Sequence, residues 1–411
     1  MSHSLRVRRI DRLLTLNPAI GAGALGVLTN AAVVFDGEQV AWVGPDSQVP
    51  EANAEIDGSG CIAMPGLIDA HTHSVWMGSR ADEWRRRLAG ADYSAILEAG
   101  GGILSTVRAT REASHEALVA SCAARLSAAL DRGITTVEVK SGYGLSPKHE
   151  RRSLLAAKEA GERAGVDVHL TFLGAHTVPP ELRHDREAYV RQVIEEQLPM
   201  VADLADDIDV YVDRGAFTVD EGRRILSAGR AAGLGVRAHA EQIAFTGVAQ
   251  MAAELGARSV DHLERLDDAG IRAMAEAGTV AMLLPAAMLY LKDVSPPVPA
   301  LRAAGVPMAV ATDLNPGTAP TGDLWGCATL ACILMGLTVE EALIGITRNA
   351  ARALGRTQVG QVAPGLQGDL CLMKTPAGEP LHEEVLVQRL EGHRAWAVIR
   401  RGQVVREPQG A

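Results

Sequence analysis

The sequence predicts an α/β chain: a (β/α)8 TIM-like barrel, flanked by a small β-sandwich-like domain built from both termini. Apolar, β-rich runs alternate with helical patterns through the middle of the chain, the mark of parallel βαβ units. Eight such runs occur, the number that closes a barrel. Strand-like segments with turn residues recur at both ends, with no helical pattern among them.

Residues 1–60 supply the first part of the small domain. Ala31–Phe35 and Gln39–Val43 alternate as strands, and Asp36-Gly37 between them is a hairpin signal. Residues 360–411 supply the rest, with strands over Asp369–Met373 and Ala395–Val405 and a second turn at Arg401-Gly402. The barrel is expected over 61–359. Its strands read Leu67–His73, Thr135–Lys140, Val166–Gly174, Ile208–Val212, Gly235–His239, Ser259–His262, Thr279–Leu284 and Val306–Thr312. Helices fall between them at Glu112–Leu130, Pro147–Ala164 and Asp220–Ala232, the last opened by a Thr218-x-x-Glu221 capping box. Gly100-Gly-Gly102 lies in the long insertion after the first strand and reads as a flexible or backbone-contacting loop. Gly21-Ala-Gly-Ala-Leu-Gly26 spells a dinucleotide fingerprint, but it follows Asn17-Pro18 rather than a strand and no βαβ unit surrounds it, so it is set aside.

At 411 residues the chain suits one large and one small domain. Hydrophobic residues make up 47% and aromatics only 3%, so Ala, Val, Leu and Ile must fill the core, as they do inside parallel barrels. Forty Lys and Arg against 50 Asp and Glu leave −10, with the positives scattered, which disfavours a nucleic-acid partner. The five cysteines show no C-x-x-C spacing, which fits reduced thiols and a cytoplasmic location. Asp11, Arg12, Asn17 and Pro18 interrupt any apolar signal core near the N-terminus. The most apolar stretch, Val280–Leu291, is too short for a bilayer and contains Pro285, so no membrane partner is expected.

Chemistry in this fold sits at the C-terminal ends of the strands. His71 and His73 stand two apart on the first strand and share a face, so both imidazoles can meet one ion. Asp69 lies on the same face and is expected to fix a histidine tautomer. His239 ends the fifth strand, His262 the sixth, and Asp313 follows the eighth. One strand histidine is ordinarily structural; four histidines and an aspartate at four strand ends point to one divalent metal. Two or three imidazoles and a carboxylate leave a position for water, whose pKa a zinc-like ion lowers to about 7. Zn2+ and Fe both suit such ligands. Asp313 and His262 are the catalytic candidates, Asp313 as proton acceptor and His262 as hydrogen-bond partner of the carbonyl under attack.

Met64-Pro-Gly-Leu-Ile-Asp-Ala-His-Thr-His73, the single histidines of strands five and six and Ala311-Thr-Asp313 resemble the amidohydrolase superfamily. Longer blocks are similar to one branch of it, the ring-opening hydrolases of histidine degradation: Gly100–Arg111, Glu138–Leu145, Thr171–Pro180 and Ala311–Thr318. The resemblance implies hydrolysis of the cyclic amide 4-imidazolone-5-propanoate to N-formimino-L-glutamate. It places the metal on His71, His73, His239 and Asp313, and the substrate on Arg80, Tyr143, His176, Asn315, Gly317 and Thr318.

Taken singly, Arg80 offers the planar fork that suits a propionate carboxylate, with Tyr93 assisting, or is one solubilising arginine among Arg85, Arg86 and Arg87. Tyr143 and His176 follow strands two and three and either cover the ring or pack the turns. Superfamily members with two metals bridge them by a carboxylated lysine on the fourth strand, where this chain has Tyr211 and Asp213; Lys140 ends the second strand and reads as an ion-pair partner near a one-metal site. Gln242 stands where other members place a glutamate, and an amide cannot shuttle a proton. Proton transfer is then left to Asp313 with His262, or Glu241 must reach in. The other readings are deamination of a small nitrogen heterocycle, which would not need Arg80, and a catalytically silent scaffold, which would be expected to lack some ligands. A small-molecule substrate and a homodimer complete the expectation.

Overall fold

A computed structural model describes residues 4–90, 101–375 and 379–408. Two eight-stranded sheets organise them. The first is built from both ends of the chain: β1 (Ser4–Leu14), β2 (Val27–Asp36), β3 (Gln39–Pro45), β4 (Ala54–Asp57) and β5 (Cys61–Pro65) join strands from the C-terminal segment. It therefore reaches past residue 60, because β5 pairs with C-terminal residues, Met64 opposite Cys371, before the chain enters the barrel. The Asp36-Gly37 and Arg401-Gly402 turns both connect antiparallel neighbours. At the second, Arg401 and Gly402 have φ of 49° and 70°, and a methyl group on Gly402 would overlap the Gly37 carbonyl. Val7, Val33, Phe35, Ala63, Leu370 and Ile399 form a core within this sheet, while Ile62, Met64, Cys371 and Met373 alternate onto the barrel.

The second sheet is parallel throughout: β6 (Leu67–Asp69), β7 (Ile134–Lys140), β8 (Asp167–Ala175), β9 (Asp207–Val212), β10 (Gly235–Ala240), β11 (Ser259–His262), β12 (Val280–Leu283) and β13 (Met308–Val310) follow one another in chain order. β6 and β13 are the ends of this path, and the residues just beyond them close it. Asp313 N–H donates to the His71 carbonyl at 3.0 Å, His73 N–H donates to the Leu314 carbonyl at 2.9 Å, and Thr72 bridges Leu314 in parallel. Behind the seam, Asp69 accepts from Thr312 N–H (3.1 Å) and Thr312 Oγ1 (2.6 Å).

β6 and β13 are shorter than the expected Leu67–His73 and Val306–Thr312, because ladder pairing stops where the chain turns into the mouth of the barrel. The expected helix Glu112–Leu130 opens at His115 instead. Ser114 caps it, accepting from Ala117 N–H, and a separate helix spans Ile103–Glu112. Gly102 precedes that helix with φ 74° and donates its N–H to Glu83. The fingerprint-like Gly21–Gly26 segment is a tight loop between β1 and β2, where Gly26 has φ 60° and leaves no room for a side chain against Thr15 and Asn17. Among the described residues no helix is long and apolar enough to cross a membrane.

The capping box at Thr218 is present in both directions, Glu221 N–H to Thr218 Oγ1 at 3.2 Å and Thr218 N–H to Glu221 at 2.8 Å. Thr218→Ala is therefore expected to lower stability by about 1 kcal/mol in urea titration, with Thr218→Ser restoring most of it.

Candidate metal centre at the barrel mouth

The closing seam carries three of the expected ligands, and β10 brings up the fourth. His71 Nε2 and His73 Nε2 each lie 3.4 Å from Asp313 Oδ1, and His73 Nε2 lies 3.4 Å from His239 Nε2. The donor nitrogens of His71, His73 and His239 converge on one point, and all three residues are buried. Ligands held at about 2.0–2.1 Å around a tetrahedral zinc ion stand about 3.3–3.4 Å apart, so the observed edges fit such an ion.

The tautomers agree. His71 Nδ1 is 2.6 Å from Asp261 Oδ2, and His239 Nδ1 is 3.0 Å from Asp209 Oδ1. Each aspartate accepts the Nδ1 proton, which leaves a lone pair on Nε2 facing the common point. His71 Nε2 is buried without a hydrogen-bond partner, as a ligand nitrogen would be. Burial pushes His73 down to about 4 and His262 to about 3, and His176 also falls well below the ordinary imidazole value, so these rings are neutral at pH 7. Burial and Lys140 press His71 the same way, but Asp261 and Asp313 outweigh them and raise it. Burial would likewise raise the Asp313 carboxyl, yet the His71 and His73 rings beside it hold it well below the usual carboxylate range.

The tautomer-fixing role expected of Asp69 belongs to Asp209 and Asp261. β6 pairing ends at Asp69, so the face alternation that places Asp69 beside His71 does not hold, and its carboxylate turns to Thr312. The sequence does carry a signal for the true partners: Ile208-Asp-Val and Val260-Asp-His put charges inside runs buried on every side, where a carboxylate must have a partner. Asp261 and His262 both serve the mouth although adjacent, because His262 (φ 81°) and Leu263 (φ 77°) break the strand alternation. Asp313 (φ 54°) is likewise left-handed, a conformation that non-glycine residues adopt at a cost and that clusters at functional sites.

Around the ligands, the His176 ring stacks on His73 with centroids 5.0 Å apart and planes 18° apart, its Nδ1 hydrogen-bonded to the Gly142 carbonyl at 3.1 Å. Tyr143 stands 5.4 Å from His176, and His262 stands 5.4 Å from His239. Arg80 donates Nε to Glu83 at 2.8 Å, and its guanidinium lies so close over Gly317 that a side chain there would overlap it. Asn315 organises that turn: Nδ2 donates to the Asp313 carbonyl (2.7 Å), and Oδ1 accepts from Gly317 N–H (2.9 Å) and Thr318 N–H (2.7 Å). Gln242 Oε1 accepts from the Tyr211 hydroxyl at 3.1 Å beside His239. Glu241 does not reach in. With φ 54° at the end of β10 it turns away and accepts from Thr246, Gly247 and Ala249 N–H at 2.6, 3.0 and 3.2 Å. Lys140 is a buried ion-pair partner, 2.8 Å from both Glu138 and Asp209. Tyr93 lies outside the described residues.

Residues 62–405 match the model of the amidohydrolase family. Curated relatives include the imidazolonepropionase of Shewanella loihica, 46% identical over 89% of this chain and 92% of its own length. That of Shewanella oneidensis is 46% identical over 88% and 91%. Among solved structures, a triazine hydrolase variant superposes with a TM-score of 0.76 at 19% identity, covering 98% of this chain and 95% of its own. A zinc-bound adenosine deaminase from Xanthomonas campestris superposes at 0.75 and 19%, covering 99% and 94%. At that identity the solved structures speak for the fold alone.

Proposed function

The chain belongs to the amidohydrolase family and to its imidazolonepropionase branch, hydrolases of cyclic-amide carbon–nitrogen bonds, and we propose that it opens 4-imidazolone-5-propanoate to N-formimino-L-glutamate through the residues gathered at the barrel mouth. The observation that supports the reading is the gathering of His71, His73 and His239 with Asp313 3.4 Å from both His71 and His73, and an arginine fork held over Gly317.

A divalent ion on those four residues, zinc or iron, would supply Lewis acidity and make water a stronger acid. Arg80, its Nε engaged by Glu83, presents Nη1 and Nη2 to the propionate carboxylate, beside the turn that Asn315 shapes through Gly317 and Thr318. Tyr143 and His176 cover the ring. His262, neutral by burial, donates its one N–H to the carbonyl oxygen under attack. Asp313 faces the ligand nitrogens with Oδ1; its Oδ2 takes a proton from the attacking water and delivers it to the ring nitrogen. The water oxygen bonds to the carbonyl carbon, the amide C–N bond breaks, and the carbonyl carbon becomes the new carboxylate. Gln242 has no proton to give and stays a hydrogen-bonding wall with Tyr211.

The free thiols support a cytoplasmic site of action. An exposed apolar face supports a homodimer: Trp84 rests 5.1 Å from Tyr290, next to exposed Leu289 and Leu291, with exposed Ile333 and Leu334 on a neighbouring element. Light scattering is expected to give twice the mass of one chain, and the single-chain mass at micromolar concentration counts against the dimer.

Supplied with fresh 4-imidazolone-5-propanoate, the enzyme is expected to release formiminoglutamate, to stop when a chelator strips its metal, and to recover with zinc. No formiminoglutamate from metal-replete protein would sink the assignment. Arg80→Ala is expected to raise KM about 10- to 100-fold, the loss of a charge-assisted pair, with kcat less affected; an unchanged KM removes Arg80 from the substrate site.

A further inference from the structure

Beneath the candidate metal centre three carboxylates are buried side by side, and one ammonium joins them. Lys140 Nζ lies 2.8 Å from Glu138 Oε1, 2.8 Å from Asp209 Oδ2 and 3.9 Å from Asp261 Oδ2, with no exposed side-chain surface on any of the four. Each carboxylate in turn holds part of the ligand set. Asp209 accepts from His239 Nδ1 at 3.0 Å and from the His239 N–H at 3.2 Å. Asp261 is 2.6 Å from His71 Nδ1. Glu138 Oε2 accepts the N–H of Thr72 at 2.9 Å, the peptide between His71 and His73. Lys140 closes the loop with its own backbone, donating N–H to the Thr72 carbonyl at 2.9 Å.

Arg237 is the other buried cation of this layer, and its geometry gives it a different task. Its Nη2 donates to the Ala70 carbonyl at 2.7 Å and stands 3.3 Å from Asp261; its approach to Glu138 is 3.8 Å. Among the described residues Lys140 is the one cation within 4 Å of Glu138, Asp209 and Asp261 together.

We propose that Lys140 is a positioning residue that sets the metal affinity of the site, because one buried ammonium joins the two carboxylates that orient His71 and His239 and the one that pins Thr72 between His71 and His73. Three ionised carboxylates packed together out of water repel one another. Without the cation that bridges them, the carboxylates lose the contact that fixes their place and turn apart. A displaced Asp209 or Asp261 no longer accepts the Nδ1 proton of its histidine, and the Nε2 lone pair is no longer held on the metal position. The inference rests on the metal reading above, and zinc binding to the wild-type protein tests that reading separately.

The experiment compares zinc affinity, by competition with a chromophoric chelator, in wild-type protein and in Lys140→Met, Asp209→Asn and the double variant, with thermal melts of the metal-free forms alongside. Lys140→Met is expected to bind zinc about 10- to 100-fold more weakly, the range for partners that orient metal ligands. The double variant is expected to be little worse than the weaker single one, since both cut the same link. Wild-type zinc affinity in Lys140→Met, even with a lowered melting temperature, would mean a structural role only and overturn the proposal; so would losses that simply add. If Lys140→Met does not fold, Glu138→Gln removes one of the three charges at constant size. Weaker zinc binding there supports the hub, and unchanged binding overturns it. Wild-type protein that takes up no zinc overturns the metal reading itself.

Discussion

Between the first and last barrel strands, Asp313 N–H donates to the His71 carbonyl and His73 N–H to the Leu314 carbonyl, and these two backbone bonds close the cylinder. Everything at the mouth depends on them. A barrel can close only when its last strand arrives beside its first, and here the residues that meet at that join are also proposed ligands. Closure and site assembly are one event, so the ligand spacing inherits the precision of a hydrogen-bonded seam rather than that of a loop. Asp69, held by Thr312 one layer below, locks the same seam from inside.

Below the seam the barrel interior departs from the apolar filling usual for the fold. Glu138, Lys140, Asp209, Arg237 and Asp261 are all buried, and such clusters are poor sources of stability because desolvation offsets most of the attraction. What they provide is direction. A carboxylate that accepts from a histidine ring on one side and is fixed by an ammonium on the other has one place to sit, and the imidazole it holds has one orientation and one tautomer.

Much of this was legible in the residues. The strand-end histidines and Asp313 stand out because chemistry at the C-terminal face requires polar side chains where the rest of each strand is apolar, and the capping box at Thr218 and both terminal hairpins follow local rules. The partners of the ligands were harder to read, since Asp209–His239 and Asp261–His71 are contacts across strands that no spacing along one strand reveals. Asp69 fails because the reading extends regular strand alternation past the close of β6, where it ends. Glu241, the alternative that Gln242 left open, is turned away by a left-handed backbone of its own. Left-handed backbone at His262, Leu263 and Asp313 has no glycine to announce it.

The composite terminal sheet also has a consequence for how the chain is made. β5 runs directly into the first barrel strand, yet its partner on one side is the strand containing Cys371. About 300 residues separate the two, and at roughly 5–20 residues per second a ribosome needs on the order of 15–60 s to supply the second. For that interval the wholly apolar segment Cys61–Pro65 presents one unpaired edge while the barrel is already being synthesised behind it. The strand that seals this edge is thus translated long after the edge itself, so a chain cut short before Leu370 would leave it exposed as a template for aggregation.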